Sequence, residues 1–318
     1  MILTKCPLRV SLVGGSTDTK SFLEKYGRGS VISFTPNLYT YVSIHHNNQK
    51  KYILNYSKKE EVDSISDIQN ELIRYCLEYF QTPKCTLTLN ASIASTGSGL
   101  ASSSSFIICI VKAICIFQNL DYTNKKICDI SYEIEQKINP LAGYQDVYGC
   151  GVGNFKRIDF SRNGEEVYKF LDLSFITKEY DMYLLNTCVT RKSTNILKTL
   201  KVDKSQELLQ VVEDMEKCIV SKNEQDFFDI INRGWEIKKQ TSTQILNNEE
   251  LLEMEFLLSN MSSIKALKLC GAGGGGYFLL FVSKEQEEPF MSFYEEYFQG
   301  KPIVKIKIEN NGPNGVTI

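Results

Sequence analysis

The amino-acid sequence predicts an α+β fold in two domains, and three observations support this prediction. The chain has 318 residues, roughly twice the ~150 residues of an ordinary domain. Its N-terminal half has the pattern of strands with two embedded helices. Its C-terminal half has a charged helical region, followed by a glycine-rich loop between two strands. We place the two domains at residues 1–170 and 171–318.

Apolar periodicity predicts the main elements of the first domain. Alternating apolar and polar residues over 38–45 are typical of a half-buried strand, and Asn47-Asn48 predicts a hairpin turn into the next strand. Residues 100–117 are almost wholly apolar, which predicts a buried helix. A second helix is predicted over 122–138, because Pro140 pushes the residue before it out of the helical region.

The second domain has a different pattern. A strand comes first, then the charged helical region, then the two strands joined by a glycine-rich loop, and finally a helix and a strand. These elements are expected over residues 182–187, 193–260, 266–282, 285–298 and 303–308.

The charge balance and the histidine count exclude several classes of protein. Lys and Arg number 36 and Asp and Glu 38, so the net charge is −2, and no basic surface indicates nucleic acid or an anionic membrane. The only histidines are the adjacent His45 and His46, which nearly excludes histidine-based triads and His-rich metal sites. Any acid–base chemistry must therefore use Asp, Glu, Lys or Tyr.

The cysteines and the apolar segments predict a reduced, cytoplasmic protein. The ten cysteines include no C-x-x-C pair, so neither a zinc ribbon nor a thioredoxin motif is expected. Residues 1–13 lack the basic region of a secretory signal. The longest apolar stretch, 106–117, is too short for the ~20 residues of a membrane span. We expect a monomer or homodimer without a membrane partner.

A glycine- and serine-rich segment, residues 96–105, leads directly into the buried helix. Glycines let a backbone approach a ligand, and a helix N-terminus presents unpaired N–H groups with a partial positive charge. A flexible lead-in with one serine as N-cap is the alternative. Because one cap does not need four successive serines, the segment favours an anion-binding loop.

A second glycine-rich loop, Gly271-Ala-Gly-Gly-Gly-Gly276, lies between two predicted strands. Its letters match G-x-G-x-x-G, but a strand follows it where a dinucleotide-binding motif requires a helix. The chain also lacks the H-R-D and D-F-G sequences of protein kinases. A structural turn needs only one or two glycines, so close approach to a ligand is the favoured interpretation.

Four charged residues are candidates for chemistry. Arg9 lies in an apolar strand, and Asp18 follows a Gly-Gly turn, where it either caps a helix or binds a ligand. Glu135 lies in the last turn of a predicted helix, where it opposes the helix dipole unless a cation faces it; a solvated glutamate is the alternative. Asp146 is isolated in a glycine-flanked apolar loop, which indicates a turn or a functional carboxylate.

Taken together, these segments resemble the three motifs of the GHMP small-molecule kinases. The chain carries P-x-R…G-x-x-T-D ending at Asp18, G-x-G-L-x-S-S at 97–103 and G-A-G-G-G-G at 271–276, in the order and spacing of that family. Further segments resemble the sugar-1-kinase branch, which holds D-glycero-D-manno-heptose 7-phosphate kinases and the kinase part of fucokinases. These segments are Gly14–Asp18, Glu135, Gly143–Asp146, Thr190–Ser193 and Gly234–Lys238.

The resemblance implies a two-domain GHMP kinase-like fold, with an N-terminal mixed sheet of the ribosomal S5 domain 2-like type. It implies ATP- and Mg²⁺-dependent phosphorylation of the anomeric hydroxyl of a heptose 7-phosphate, in nucleotide-activated heptose and polysaccharide biosynthesis. By motif position, Asp146 corresponds to the catalytic base and Arg9 to the transition-state cation. Ser103 and Glu135 correspond to Mg²⁺ ligands.

The resemblance also implies the binding residues. Those for the sugar are Ser16, Thr17, Asp18 and Arg191. Those for ATP are Gly97, Ser98, Gly99, Leu100, Ala101, Ser102, Ser103, Gly271, Gly273 and Gly274.

Three positions depart from the usual pattern of the family, and two other functions stay open. Ala101 stands where glycine is more usual, and we expect a negative φ there. Tyr144 replaces a lysine and Cys188 a glycine, changes that we expect to affect the choice of sugar more than the reaction. The alternatives are a fucokinase-like kinase of a free sugar and a non-catalytic sugar or nucleotide sensor on the same fold.

Overall fold

The structure is a computed structural model that describes residues 1–94, 97–189, 196, 198, 199 and 201–318. Strands and helices are mixed along the chain, as the predicted α+β class requires. The strands are β1 (Ile2–Pro7), β2 (Val10–Gly14), β3 (Arg28–Phe34), β4 (Tyr39–His46), β5 (Tyr52–Asn55), β6 (Lys59–Val62), β7 (Cys85–Ala91), β8 (Phe155–Ser161), β9 (Glu166–Phe170), β10 (Tyr180–Asn186), β11 (Ile264–Leu269), β12 (Tyr277–Ser283), β13 (Ile303–Ile306) and β14 (Asn314–Thr317).

The helices of the described residues lie between these strands, in two places several in succession. They are α1 (Lys20–Tyr26), α2 (Glu71–Tyr79), α3 (Ser102–Phe117), α4 (Asn124–Ile138), α5 (Gln145–Val152), α6 (Ser174–Thr177), α7 (Val202–Ser205), α8 (Glu207–Ser221), α9 (Glu224–Gln240), α10 (Glu249–Ser259) and α11 (Glu287–Tyr297). Two short 3₁₀ turns lie at Ile65–Asp67 and Lys284–Gln286. No helix among these ranges is long and apolar enough to cross a membrane.

The strands of the described residues form three sheets. The first has the order β14-β1-β4-β7-β5-β6, the second β2-β3-β8-β9 and the third β11-β12-β10-β13. The predicted hairpin at Asn47-Asn48 is wrong as a strand pairing, because β7 lies between β4 and β5 and pairs with both. The predicted helices over 100–117 and 122–138 are confirmed as α3 and α4.

The local structure around two candidate residues, Asp146 and Arg9, differs from the prediction. Asp146 does not lie in a loop: it occupies the first turn of α5, which forms although its sequence contains Gly149 and Gly151. Arg9 is not inside a strand but between β1 and β2, where its backbone N–H donates to the carbonyl of Leu100. The backbone positions of Arg9 and Asp146 are therefore fixed by the hydrogen bond to Leu100 and by helix α5.

The apolar cores connect the two halves of the chain. The buried helix α3 packs on β1 and β4, and this packing forms one large cluster in the N-terminal half. A second cluster joins residues of β2 and β3 to residues of α8, α9 and the third sheet. The division into domains 1–170 and 171–318 stays a prediction. All ten cysteines are free, and Cys188 is the exposed one among them.

Candidate active site

A cavity of about 360 Å³ lies where the two glycine-rich loops, the Gly14–Asp18 loop and helix α5 meet. It is lined by many of the residues that the sequence singled out: Arg9, Ser16, Asp18, Gly97, Ser98, Gly99, Ala101, Ser102, Ser103, Glu135, Asp146 and Gly271. The structure therefore brings segments from both halves of the chain together around one space.

Not every predicted residue is among those that line the described cavity. Arg191 is outside the residues that the structure describes. Thr17 is fully buried and exchanges hydrogen bonds with the backbone of Ser30, which shapes the loop from beneath. Leu100, Gly273 and Gly274 do not line the part of the cavity that the described residues form.

The first glycine-rich loop turns sharply into α3. Gly97 and Gly99 have φ of 68° and 76°, the left-handed region that glycine adopts without strain. Ala101 has φ 58°, so the expectation of a negative φ there is wrong. The Ser98 and Ser102 hydroxyls are hydrogen-bonded at 2.8 Å, which holds the loop against the helix N-terminus. Ser102, Ser103 and Ser104 of that first turn line the cavity. The first N–H groups of a helix have no partner within the helix, so this turn can bind an anion.

The second glycine-rich loop packs directly on the first. A Cβ added at Gly276 would lie 2.4 Å from the carbonyl oxygen of Ser98, and one added at Gly99 would lie 2.5 Å from that of Cys270. The glycines are therefore needed for the contact between the two loops, in addition to any approach to a ligand. Gly274 lies further away and donates its N–H to Ile245.

Arg9 and Asp146 form a partly buried ion pair on the cavity wall. Arg9 Nε and Nη2 donate to Asp146 Oδ1 at 3.1 and 2.5 Å, and Arg9 Nη1 donates to the carbonyl of Gly99 at 2.7 Å. The side chain of Arg9 is 4% exposed and that of Asp146 is 30% exposed. Burial alone would lower the pKa of Arg9, but Asp146 raises it, so the guanidinium stays charged.

Asp18 is bound to the start of α5 and does not cap α1. Its Oδ2 accepts the backbone N–H of Gln145 at 2.9 Å, and its Oδ1 accepts Gln145 Nε2 at 3.1 Å. Gly143 permits this approach, because a Cβ there would lie 2.0 Å from Asp18 Oδ2. Burial, with a contribution from Asp146, raises the pKa of Asp18 to about 6. The residue joins the Gly14–Asp18 loop to the helix that carries Asp146.

Glu135 is buried at the cavity edge, so the alternative of a solvated glutamate is wrong. Its Oε1 accepts the hydroxyl of Ser104 at 2.6 Å, whereas its Oε2 is buried and has no hydrogen-bond partner among the described residues. Burial and the nearby Asp146 raise the pKa of Glu135 to about 8, against the opposing effects of Ser104 and Arg9. An uncompensated carboxylate oxygen of this kind is a place for a cation.

The residues around Glu135 fit Mg²⁺ bound together with phosphate oxygens. No group of three or more His, Cys, Asp and Glu side chains within the described ranges could hold a metal ion alone. Mg²⁺ commonly takes one or two carboxylates and fills its other positions with substrate phosphates and water. Glu135 Oε2 would hold it, with the exposed hydroxyl of Ser103 on the cavity side.

Several residues of the site were not assigned a role from the sequence. Gln145 and Ser104 hold Asp18 and Glu135, and such contacts between distant parts of the chain leave no local pattern. Lys238 lines the cavity and donates from Nζ to Ser16 Oγ at 2.6 Å. The sequence could have pointed to Lys238, because the segment Gly234–Lys238 resembles the sugar-1-kinase branch.

Comparison with known proteins shows which proteins this chain is similar to. Residues 68–154, which include the first glycine-rich loop, Glu135 and Asp146, match the GHMP kinases N terminal domain. This segment of the chain is therefore similar to the GHMP kinases.

Individual relatives and solved structures extend the likeness over the whole chain. The chain is 27% identical to D-glycero-alpha-D-manno-heptose 7-phosphate kinase of Campylobacter jejuni, with 88% of this chain and 89% of the relative covered. A crystal structure of a D-glycero-D-manno-heptose 1-phosphate kinase from Bacteroides thetaiotaomicron superposes with a TM-score of 0.80 at 20% identity, over 100% of this chain and 99% of that one. A putative sugar kinase from Campylobacter jejuni gives a TM-score of 0.79 at 22% identity, over 100% and 98%.

The family match and the superpositions confirm the predicted family and the GHMP kinase fold. They also bear out the predicted enzyme class of ATP-dependent sugar kinase. The Mg²⁺ requirement and the individual roles of the site residues stay predictions.

Proposed function

We propose that this GHMP kinase transfers the γ-phosphoryl group of ATP to the anomeric hydroxyl of D-glycero-D-manno-heptose 7-phosphate. The observation that carries the proposal is the Arg9–Asp146 pair on the wall of a cavity with a glycine-rich loop and a helix N-terminus on one side and Asp18 on the other. The similarity to the Campylobacter jejuni heptose 7-phosphate kinase supports this choice of sugar.

The proposed reaction is a displacement at phosphorus. The anomeric oxygen forms a bond to the γ-phosphorus, the bond from that phosphorus to the β–γ bridging oxygen breaks, and ADP leaves with the electron pair. The hydroxyl proton passes to Asp146. Arg9 stabilises the negative charge on the transferring group, since phosphoryl transfer depends on positioning and electrostatics. The products are the 1,7-bisphosphate, ADP and a proton.

Different residues of the site would bind ATP, the sugar and Mg²⁺. Backbone N–H groups of 97–103 and the N-terminus of α3 would hold the ATP phosphates, and Ser16 and Asp18 would hold the sugar. Mg²⁺ bound at Glu135 would neutralise phosphate charge. The cytoplasmic location, the monomeric or homodimeric state and the place in heptose biosynthesis stay predictions.

The direct test is ADP release from ATP and Mg²⁺ with this sugar phosphate as acceptor, followed by NMR identification of the phosphorylated position. Product carrying phosphate at the anomeric carbon supports the proposal. Phosphorylation of free sugars alone would favour a fucokinase-like activity. If no sugar or sugar phosphate released ADP, the non-catalytic sensor would become the better explanation.

The role of Asp146 has its own test. Asp146→Asn keeps an oxygen that can accept from Arg9 but removes the proton acceptor, so kcat should fall ~10²–10⁴-fold with little change in ATP affinity. Steady-state kinetics and ATP titration would measure the two quantities separately. Full activity in this variant would exclude Asp146 as the base.

A further inference from the structure

A lysine on the sugar side of the cavity has no part in the proposed phosphoryl transfer. Lys238 lies in the last turn of α9, and its ammonium group donates to the hydroxyl of Ser16. Its positive charge lowers the pKa of Asp18, against the dominant effect of burial. A positive charge therefore lies beside the residues that we propose bind the sugar.

The fold directs Lys238 toward this part of the cavity. Gly234, one helical turn earlier on α9, packs so closely that an added Cβ would lie 3.1 Å from a methyl group of Val211 and 3.8 Å from one of Val13. Residues four apart lie on the same face of a helix. The face of α9 that meets β2 therefore also presents Lys238 to the Gly14–Asp18 loop that follows β2.

The other cation of the described cavity wall is committed to the reaction centre. Arg9 donates three hydrogen bonds, to Asp146 and to the carbonyl of Gly99. Arg9 and Asp146 both affect the pKa of Glu135 at the nucleotide side. A second anion, bound away from the ATP phosphates, would therefore meet Lys238 and not Arg9.

The loop residues beside Lys238 are Ser16 and Asp18. Both carboxylate oxygens of Asp18 accept hydrogen bonds from Gln145, so the carboxylate is directed toward α5. Ser16 has φ 60°, a left-handed conformation that is uncommon outside glycine and persists when the surrounding structure imposes it. Its hydroxyl and the lysine ammonium are thus held together as two adjacent donors.

We infer that Lys238 and Ser16 bind the phosphate group that the sugar already carries, and that they select a sugar phosphate over the free sugar. This inference rests on the proposed function. An ammonium group is a compact charge with three donors that suits a phosphate, and the serine hydroxyl can donate to a second phosphate oxygen. The remaining length of the sugar would then lie between Lys238 and Asp146.

The test compares D-glycero-D-manno-heptose 7-phosphate with free D-glycero-D-manno-heptose as acceptors. Lys238→Met should raise KM for the 7-phosphate roughly 10- to 100-fold, the range for losing hydrogen bonds to a charged group. Its kcat with the 7-phosphate and its KM for free heptose should change little. Lys238→Arg should recover part of the affinity for the 7-phosphate.

Lys239 provides the matched control. It is the next residue on α9, but its ammonium group pairs with Glu236 and Glu255, and it is not among the residues that line the cavity. Lys239→Met should leave KM for both sugars unchanged. Because both acceptors are measured on one preparation, incomplete folding of a variant lowers both rates and leaves the ratio of KM values intact.

The outcomes separate this inference from the proposed function. An equal rise in KM for both sugars, or no rise for the 7-phosphate, would overturn phosphate recognition by Lys238 while leaving the kinase in place. Wild-type enzyme that uses free heptose as well as the 7-phosphate would overturn the selectivity in the same way. Wild-type enzyme that uses neither acceptor would reject the proposed function itself.

Discussion

Glu135 combines three properties that rarely occur together in an ordinary core glutamate. It is buried, one carboxylate oxygen lacks a hydrogen-bond partner among the described residues, and its pKa is raised to about 8 by burial and by Asp146. Without a cation the side chain therefore holds a proton at neutral pH. Binding a cation there would release that proton.

The raised pKa of Glu135 predicts a pH dependence of stability. Between its ordinary value of 4.5 and about 8 the folded state holds a proton that the unfolded state has lost. This contribution to the free energy of unfolding is fully present below the ordinary value and is lost as pH rises through about 8. Glu135→Gln removes the titrating group, so without ATP and Mg²⁺ the variant should be the more stable protein above about pH 8, by an amount on the order of a few kcal/mol.

Urea unfolding of both proteins across this pH range would measure the effect. The difference between them isolates Glu135 from other buried groups, such as Lys156 and Lys268, whose pKa values burial lowers to about 7 and which act in the opposite sense. Parallel curves for the two proteins would contradict the predicted protonation of Glu135.

Ala101 predicts a stabilising substitution. A left-handed conformation costs a non-glycine residue roughly 1–2 kcal/mol, and Ala101 has φ 58° immediately before α3. Ala101→Gly should therefore raise the free energy of unfolding by about 1 kcal/mol. Ala113→Gly, inside the same helix, should lower it by about the same amount or more, and a gain in both variants would show that the conformation of Ala101 is not the cause.

The sequence indicated the candidate reacting residues better than the residues that hold them in place. Arg9 and Asp146 were identified because a charge in an apolar or glycine-rich segment is costly unless it has a partner. Glu135 was identified because it opposes the helix dipole unless a cation faces it. Their partners were not identified. Gln145 contacts Asp18 across 127 positions of the chain, and no periodicity or cap signal reports such a contact.

At the scale of elements, the two glycine-rich loops act as one unit, and Gly276 tests this. A Cβ at Gly276 would collide with the backbone carbonyl of Ser98, whereas Gly300, with a similar positive φ, has nothing within 4 Å of an added Cβ. Gly276→Ala should displace the first loop and raise KM for ATP roughly ten- to a hundredfold. Gly300→Ala should cause the same backbone strain as Gly276→Ala but leave KM for ATP unchanged.

Steady-state kinetics with thermal unfolding would separate the two effects in these variants. Both substitutions should lower Tm, because both force alanine into a glycine conformation. Equal KM values for ATP in the two variants would mean that the contact with Ser98 does not position the nucleotide loop.

Individual helices and strands were predicted well from the sequence where the local residue pattern was strong. The apolar run of α3 and the proline after α4 defined both helices closely. Helix α5 was missed because glycines at 149 and 151 weaken any helical pattern. The hairpin after β4 was predicted from its turn residues, but β7, which comes some 40 residues later along the chain, takes the place beside β4.

Across the whole molecule, Arg157 links the second sheet to the helices of the other half. It lies on β8 and donates to Asp159 on its own strand and to Glu213 and Glu216 on α8. Its side chain is 11% exposed, so solvent screens these pairs only in part. Arg157 and its carboxylate partners therefore connect the second sheet to helix α8.

Arg157→Met should therefore destabilise the whole protein. The carboxylates of Asp159 and Glu213 would lose the guanidinium, whereas Glu216 would keep Lys169. We expect a loss of about 2–4 kcal/mol in the free energy of unfolding. Arg233→Met breaks a single ion pair with Asp214 at a half-exposed side chain and should cost less than about 1 kcal/mol. Guanidinium unfolding of the two variants would measure both values, and equal losses would rule out a special role for Arg157.

The distribution of thiols gives the molecule a chemical reporter of its own state. Cys188 is exposed, and its neighbour Val189 accepts the N–H of Gly276 in the second glycine-rich loop. The other nine cysteines are buried and can meet an alkylating reagent only when the chain opens. Mass spectrometry of a brief labelling pulse would thus separate, in one sample, folded molecules that are labelled at Cys188 alone from molecules that have unfolded and are labelled at the other cysteines too.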